Sequence, residues 1–267
     1  MPQALLLKAL IRGCLFYCLL LSLLYPLAAP AAPLCPAQHI DREVVVRYVH
    51  DGDTLHLTSG EKVRLIGVDT PELARKSRPN QAFAVQARDR LRQLVRNSSN
   101  KLALRLDTEH LDRYGRRLAH LYTQNGSSIA AQLLQEGLAT LLAIPPNLNG
   151  LDCYAKIETQ AQKTQRGVWQ LPLYQAIHST ELPRNARDYR RVYGEVVRIG
   201  EGRHNLWINL VGQVAFRIQK NELHLFNALK PRELLGKTIT ARGRLYEHRG
   251  ELRMRLRSPY ALSIHPE

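Results

Sequence analysis

The sequence predicts a mixed α+β fold, mostly β: a five-stranded closed barrel carrying three helices, followed by a second small β-barrel. Three observations predict it. Residues 43–122 hold five short runs rich in valine and leucine, several with apolar and polar residues alternating. Three stretches between residues 79 and 166 read as helices from apolar spacing and end signals. Beyond a polar stretch broken by prolines, the strand pattern resumes and runs to the C-terminus.

Glu43–Val49 alternates and is valine-rich, which predicts a strand, and Asp51-Gly52-Asp53 is a turn. Leu55–Thr58 and Lys62–Val68 read as a hairpin around Ser59-Gly60. Pro79–Val95 places Phe83, Ala84, Ala87, Leu91, Leu94 and Val95 on one helical face. Lys101–Leu106 and Leu118–Tyr122 are further strands, followed by an Asn125-Gly126 turn. Ser128–Glu136 reads as a helix capped by Ser128 and ended by Gly137, and Leu151–Arg166 as a third helix closed by Gly167. Leu171–Arg187, with Pro172 and Pro183, reads as a linker. Strands follow at Val192–Ile199, Asn205–Val211 and Gln213–Ile218, then a short helix at Glu222–Leu229, then a hairpin of Lys237–Tyr246 and Glu251–Arg257. Three strands, a helix and two strands is the order of an OB-fold barrel. The expected organisation is therefore a leader at 1–34, a first domain at 35–170, a linker at 171–187 and a second domain at 188–267.

In the leader, Lys8 and Arg12 are the only charges, Gly13 to Ala32 is apolar, and Ala28-Ala29-Pro30-Ala31-Ala32 offers small residues for cleavage near Ala31. This is the pattern of a secretory signal peptide. An uncleaved membrane anchor is the other reading, weakened by Pro26 and Pro30. After cleavage two cysteines remain, Cys35 and Cys153, which in an exported chain form one disulfide or stay as two thiols. No Cys-x-x-Cys or His/Cys cluster argues for zinc. Of the 267 residues 45% are hydrophobic and no low-complexity run interrupts them, which excludes a disordered chain. The net charge of +15 favours a polyanionic partner, nucleic acid or an anionic membrane surface.

Three short segments carry the chemistry: Asp51-Gly52-Asp53-Thr54, Arg64 with Asp69-Thr70-Pro71-Glu72, and Tyr114-Gly115-Arg116. Asp53 and Asp69 stand at turns and strand ends and are the candidate ligands of a hard divalent cation such as Ca²⁺. Arg64 and Arg116 supply planar forks for phosphate oxygens, and Glu72 a carboxylate to deprotonate or position water. Pro71 holds Thr70 extended. Each residue alone is also an ordinary turn aspartate or a solvated arginine.

Taken together, D-G-D-T, R-L-I-G-V-D-T-P-E and D-R-Y-G-R-R-L-A, with the later E-G-L-A and the final R-G-V-W, resemble the staphylococcal nuclease family over about Val44 to Trp169. The resemblance implies an OB-type barrel with three helices. It implies Ca²⁺ held by Asp53, Asp69 and the carbonyl of Thr70, phosphate bound by Arg64 and Arg116, and Glu72 as general base. It further implies cleavage of DNA and RNA to 3′-phosphates. Tyr114 matches a nucleotide-packing tyrosine, but the family's tyrosines after G-L-A are absent from Thr140-Leu141-Leu142-Ala143-Ile144-Pro145-Pro146. This departure leaves base stacking at the site, and nucleotide preference, open. The loop after Glu72 carries Arg75, Lys76 and Arg78.

If Arg249-Gly250 is a two-residue turn, Tyr246 pairs with Arg253, Arg244 with Arg255 and Arg242 with Arg257, while Leu245 meets Met254 on the other face. One face of this hairpin then carries five arginines and a tyrosine, expected to bind nucleic acid without sequence preference. A solvated edge hairpin is the alternative. The sequence thus reads as an exported, metal-dependent nuclease with a binding domain in tandem. The alternatives are a non-catalytic nucleic-acid-binding protein on the same barrel and a membrane-tethered surface protein.

Overall fold

The structure, a computed structural model, describes residues 32–74, 78–227 and 229–265. The leader as far as residue 31, and Arg75 and Lys76 of the basic loop, lie outside the described residues. Five strands form the first barrel: β1 (Arg42–Val49), β2 (Thr54–Leu57), β3 (Lys62–Leu65), β5 (Lys101–Arg105) and β6 (Arg117–Tyr122). They close in the order β1-β2-β3-β6-β5, with β3 and β6 parallel and the other pairs antiparallel. Inward alternation buries Val44, Val46, Leu55, Leu57, Val63, Leu65, Leu102, Leu104, Ala119 and Leu121, so each strand turns an apolar row to the interior. Helices α1 (Ala84–Asn97), α2 (Ile129–Gln135) and α3 (Leu151–Lys163) pack their apolar residues against this barrel.

Three differences from the sequence reading matter for function. The run expected as one strand, Lys62–Val68, breaks at Ile66 into β3 and a short β4 (Gly67–Asp69). Gly67 makes that turn at φ +84°, where a Cβ would lie 2.8 Å from the side chains of Leu151 and Tyr154. β4 leaves the barrel to pair with an unexpected strand, β7 (Thr140–Leu142), which sets Asp69 opposite Thr140. Finally, α1 starts at Ala84 rather than Pro79, because Asn80 and Gln81 instead brace the segment after Thr70. Ser128 does cap α2, its Oγ accepting from the Ala131 amide.

The second barrel closes from β9 (Tyr189–Glu201), β10 (Asn205–Leu210), β11 (Val214–Gln219), β13 (Glu251–Arg255) and β12 (Thr238–His248), which returns to β9. Counted in chain order, both barrels follow the path 1-2-3-5-4, with the third and fifth strands parallel. This is the OB order in duplicate. The helix expected at Glu222–Leu229 is a 3₁₀ segment at Lys220–Phe226. The stretch expected as a linker is structured: 3₁₀ turns at Pro172–Tyr174 and Ser179–Glu181, and between them β8 (Ala176–His178), parallel to β9. β14 (Leu262–Ile264) lines the far edge of β12. Buried Trp169 meets Tyr174 edge-on, and Arg191 of β9 stands 5.5 Å over the Trp169 ring. The residues from Pro33 onward therefore pack as one unit.

Two further links tie this unit together. Cys35 and Cys153 form a disulfide that joins the N-terminal arm to α3 across 118 residues. Glu158 of α3, 3% exposed at its side chain, accepts from the Leu141 amide of β7 and pairs with Arg242 of β12.

Candidate active site

The β1–β2 turn builds the first half of the site. The Asp51 carboxylate accepts from the amides of Asp53 (3.2 Å) and Thr54 (2.8 Å), which curls the turn and aims Asp53 inward. Gly52 lets this turn approach closely, since a Cβ there would lie 2.6 Å from Thr70 Oγ1. Asp53 is 6% exposed. Its Oδ2 accepts from the Thr70 amide (3.0 Å) and the Thr70 hydroxyl (2.9 Å), and its Oδ1 from the Thr54 hydroxyl (3.2 Å). Thr70 and its main chain are thereby fixed against Asp53.

Arg64 of β3 binds the two aspartates to each other. Its Nε lies 3.2 Å from Asp53 Oδ1 and its Nη2 donates to Asp69 Oδ1 at 3.0 Å. Nη1 donates to the carbonyls of Leu65 and Val68, both at 2.8 Å, and so holds the β3–β4 break in place. Of the five N–H groups of a guanidinium, one on Nη2 is then left for a phosphate oxygen. Asp69 projects into the mouth of the site with its side chain 57% exposed. Crowding by the surrounding protein, and after it the charges of Asp53, Glu72 and Asp51, pushes its carboxyl up to about 6 against the pull of Arg64.

Arg116 reaches the same cluster from the β5–β6 connection. Asp112 organises that turn: its Oδ1 accepts from the amides of Tyr114 and Arg116, both at 2.9 Å, and its Oδ2 from Arg116 Nε at 2.7 Å. Burial opposes the Asp112 charge, but these three donors outweigh it and hold the carboxyl below its ordinary range. Arg116 Nη1 stands 3.5 Å from the Thr54 hydroxyl, which itself donates to Asp53. One connected set thus joins Asp53, Asp69, Thr70, Arg64 and Arg116. Glu72 is exposed two residues beyond Thr70, with its main chain clamped by Gln81 in both directions, at 2.8 and 2.9 Å. Tyr114 is exposed beside the cluster, its ring under the guanidiniums of Arg113 and Arg116.

The family model described as "Staphylococcal nuclease homologue" matches residues 62–171. The thermonuclease of Staphylococcus intermedius is 33% identical over 129 residues, which is 47% of this chain and 75% of that protein. The chain belongs to the staphylococcal nuclease family. The thermonuclease of Staphylococcus hyicus gives 33% over 128 residues, 47% of this chain and 73% of that protein. The Bacillus subtilis endonuclease YncB gives 36% over 124 residues, 45% of this chain and 57% of that protein. The family match contains Arg64, Asp69, Thr70, Glu72, Tyr114 and Arg116 and ends before the second barrel.

Three supporting roles in this staphylococcal nuclease barrel escape the sequence reading: those of Asp51 and Asp112, which it names only within motifs, and of Gln81. The first two carry a readable signal, since an aspartate two to four residues before a functional turn residue is the spacing of an Asx turn. Gln81 has none, because its partner is a main chain nine residues away.

The arginine ladder of the second barrel is corrected by the structure. The hairpin register is as expected from Leu245↔Met254 and Tyr246↔Arg253 to the turn, and buried Met254 lies on the face opposite exposed Arg244. Beyond Leu245, however, β12 leaves β13 to close the barrel on β9, so Arg244 pairs with Tyr189 and Arg242 with Arg191. Arg242 is held by Glu158 and is no open binding group. Arg255 pairs with Glu222 at 2.8 Å, Arg257 lies 3.7 Å from the same carboxylate, and Arg253 pairs with Glu251.

Proposed function

We propose that the chain is an exported, Ca²⁺-dependent nuclease that hydrolyses phosphodiester bonds of DNA and RNA at the first barrel, leaving 3′-phosphates. The observation that carries this reading is the single hydrogen-bonded set that links two carboxylates and two guanidiniums through Thr70 and Thr54. Among the described residues no three His, Cys, Asp or Glu side chains converge as a preformed metal cluster. The donor set that fits is therefore smaller and harder: Asp53, Asp69 and the Thr70 carbonyl, all oxygens, with water completing the shell. A bound Ca²⁺ supplies charge neutralisation at the phosphate and orients it.

The chain's own residues do the rest. Arg64 offers its remaining Nη2 donor to a non-bridging oxygen. Arg116, held through Nε by Asp112, presents its outer edge where charge builds on phosphorus. Glu72 takes a proton from the attacking water as the new P–O bond forms, and the 5′ oxygen leaves as its bond to phosphorus breaks and takes up a proton from solvent to become a hydroxyl. The disulfide supports export, since such bonds persist in oxidising compartments.

The test is cleavage of labelled single- and double-stranded substrates by wild type and Arg116→Ala, with Ca²⁺ or with chelator. The expected result is cleavage that requires Ca²⁺ and falls by roughly 10²–10³-fold in the variant. Cleavage indifferent to both metal and arginine contradicts the reading. Binding without cleavage under every condition favours the non-catalytic alternative.

A further inference from the structure

The outer face of the second barrel carries an arrangement that the hydrolytic site does not use. Strand register sets Gly200 (β9), Trp207 (β10), Arg217 (β11) and Arg255 (β13) in one cross-strand row. The neighbouring row holds Asn209, Ala215, Arg253 and Tyr246. The two rows cross: Arg253 lies 4.7 Å over the Trp207 ring and Arg217 lies 5.9 Å over the Tyr246 ring. Two guanidiniums thus alternate with two half-buried aromatic rings around the small side chain of Ala215.

Arg217 stands out within this group. Among the described residues no carboxylate lies within ion-pair distance of it, and its buried Nε, like that of Arg255, has no hydrogen-bond partner. Arg253 and Arg255, by contrast, each have a glutamate. On the far side of Trp207, Gly200 and Gly202 present no side chain: a Cβ on Gly202 would lie 3.7 Å from the indole Nε1. The face is bounded by exposed basic loops, Arg203 and His204 before β10 at one end and Arg249 in the β12–β13 turn at the other. In an OB barrel these are the second- and third-strand face and the loops beside it.

We propose that this face binds single-stranded nucleic acid, with a phosphate at Arg217 and bases stacked on Trp207 and Tyr246. A half-buried indole flanked by glycines instead of side chains suits a base of any identity, and a guanidinium without a carboxylate partner beside it suits the phosphate one step along the strand. The proposal rests on the nuclease reading for the choice of polyanion only. It moves the base-stacking function from the first barrel, where Thr140–Pro146 lacks tyrosine, to the second.

The test uses the full chain in chelator, so that nothing is cut, with a labelled twelve-residue oligothymidylate titrated at about 50 to 300 mM salt. Because Trp169 is buried, quenching of tryptophan emission reports Trp207. The expected results are quenching on binding, and affinity lowered about tenfold by Trp207→Ala but mostly retained by Trp207→Phe. Arg217→Ala lowers affinity by a similar factor and reduces the slope of log affinity against log salt by about 0.7, one phosphate contact, while Arg217→Lys keeps most of that slope. Wild-type affinity and slope in both alanine variants overturn the proposal, as does base-free polyphosphate that quenches Trp207 equally. A small nitrophenyl phosphodiester, cut with Ca²⁺, serves as the separate readout of the first barrel and is expected to be cut equally by all variants. If no protein cuts it, wild type included, while the oligonucleotide results hold, the nuclease reading fails and the binding face stands.

Discussion

Asp107 shows how a carboxylate outside the proposed hydrolytic cluster holds the first barrel together. Burial works against its charge, but His120 Nε2 at 3.9 Å, the side-chain and main-chain amides of Asn149 and the Thr108 amide outweigh it and hold the carboxyl at about 2. A folded value below the ordinary one near 4 gives stability that is complete above the unfolded value and lost as pH falls toward the folded one. Asp107→Asn is therefore expected to cost about 2 kcal/mol at pH 7, with the gap to wild type closing between about pH 5 and pH 2. Urea unfolding at several pH values checks this, and a gap independent of pH contradicts it. The same economy of donors runs through the proposed hydrolytic cluster. Asp53, Arg64 and Thr70 each serve the fold as well as the proposed chemistry, so substitutions there report both.

The break between β3 and β4 is the element on which the site depends. A run of Lys62–Val68 reads as one strand because every residue but Gly67 suits a strand. Gly67 instead turns the chain at φ +84° against Leu151 and Tyr154, and the departing β4 carries Asp69 away from the barrel wall and into the mouth of the site. Gly67→Ala combines left-handed strain with overlap at 2.8 Å and is expected to destabilise by about 2–4 kcal/mol and to lower activity. Wild-type stability in a denaturant titration would show that the turn tolerates a side chain. The barrel strands, by contrast, were legible because period-two burial needs only local sequence. β7 and β8 were not, since each has three residues and exists through pairing with a partner more than ten residues away. In the site, residue types and spacing pick out the candidate ligands, while the clamps, such as Gln81 on Glu72, come from tertiary approach.

Across the molecule, Glu158 is the joint between the proposed hydrolytic centre and the second barrel. One oxygen accepts from Leu141 of β7, the strand that braces β4 and Asp69, and the other pairs with Arg242. Removing the arginine leaves a buried carboxylate without its counter-charge. Arg242→Met is expected to cost about 3–5 kcal/mol, much of it recovered when Glu158→Gln is added. A loss under about 1 kcal/mol would mean that the barrels are joined by other contacts. The disulfide adds a covalent tie whose closed loop of 118 residues stabilises by up to roughly 5 kcal/mol in the chain-entropy account.

The central claim is that this cluster is a metal-dependent phosphodiester-cutting centre, and Asp69→Asn tests it most directly. Asp69 is the cleaner of the two proposed ligand carboxylates, because its side chain is 57% exposed and bonded to Arg64, whereas Asp53 also anchors Thr70. Initial rates of strand cleavage measured across a Ca²⁺ series are predicted to saturate in wild type and to fall by about 10²-fold or more in Asp69→Asn at every Ca²⁺ concentration, with stability changed by less than about 1 kcal/mol. A variant that cuts at the wild-type rate with the wild-type Ca²⁺ dependence would contradict the account.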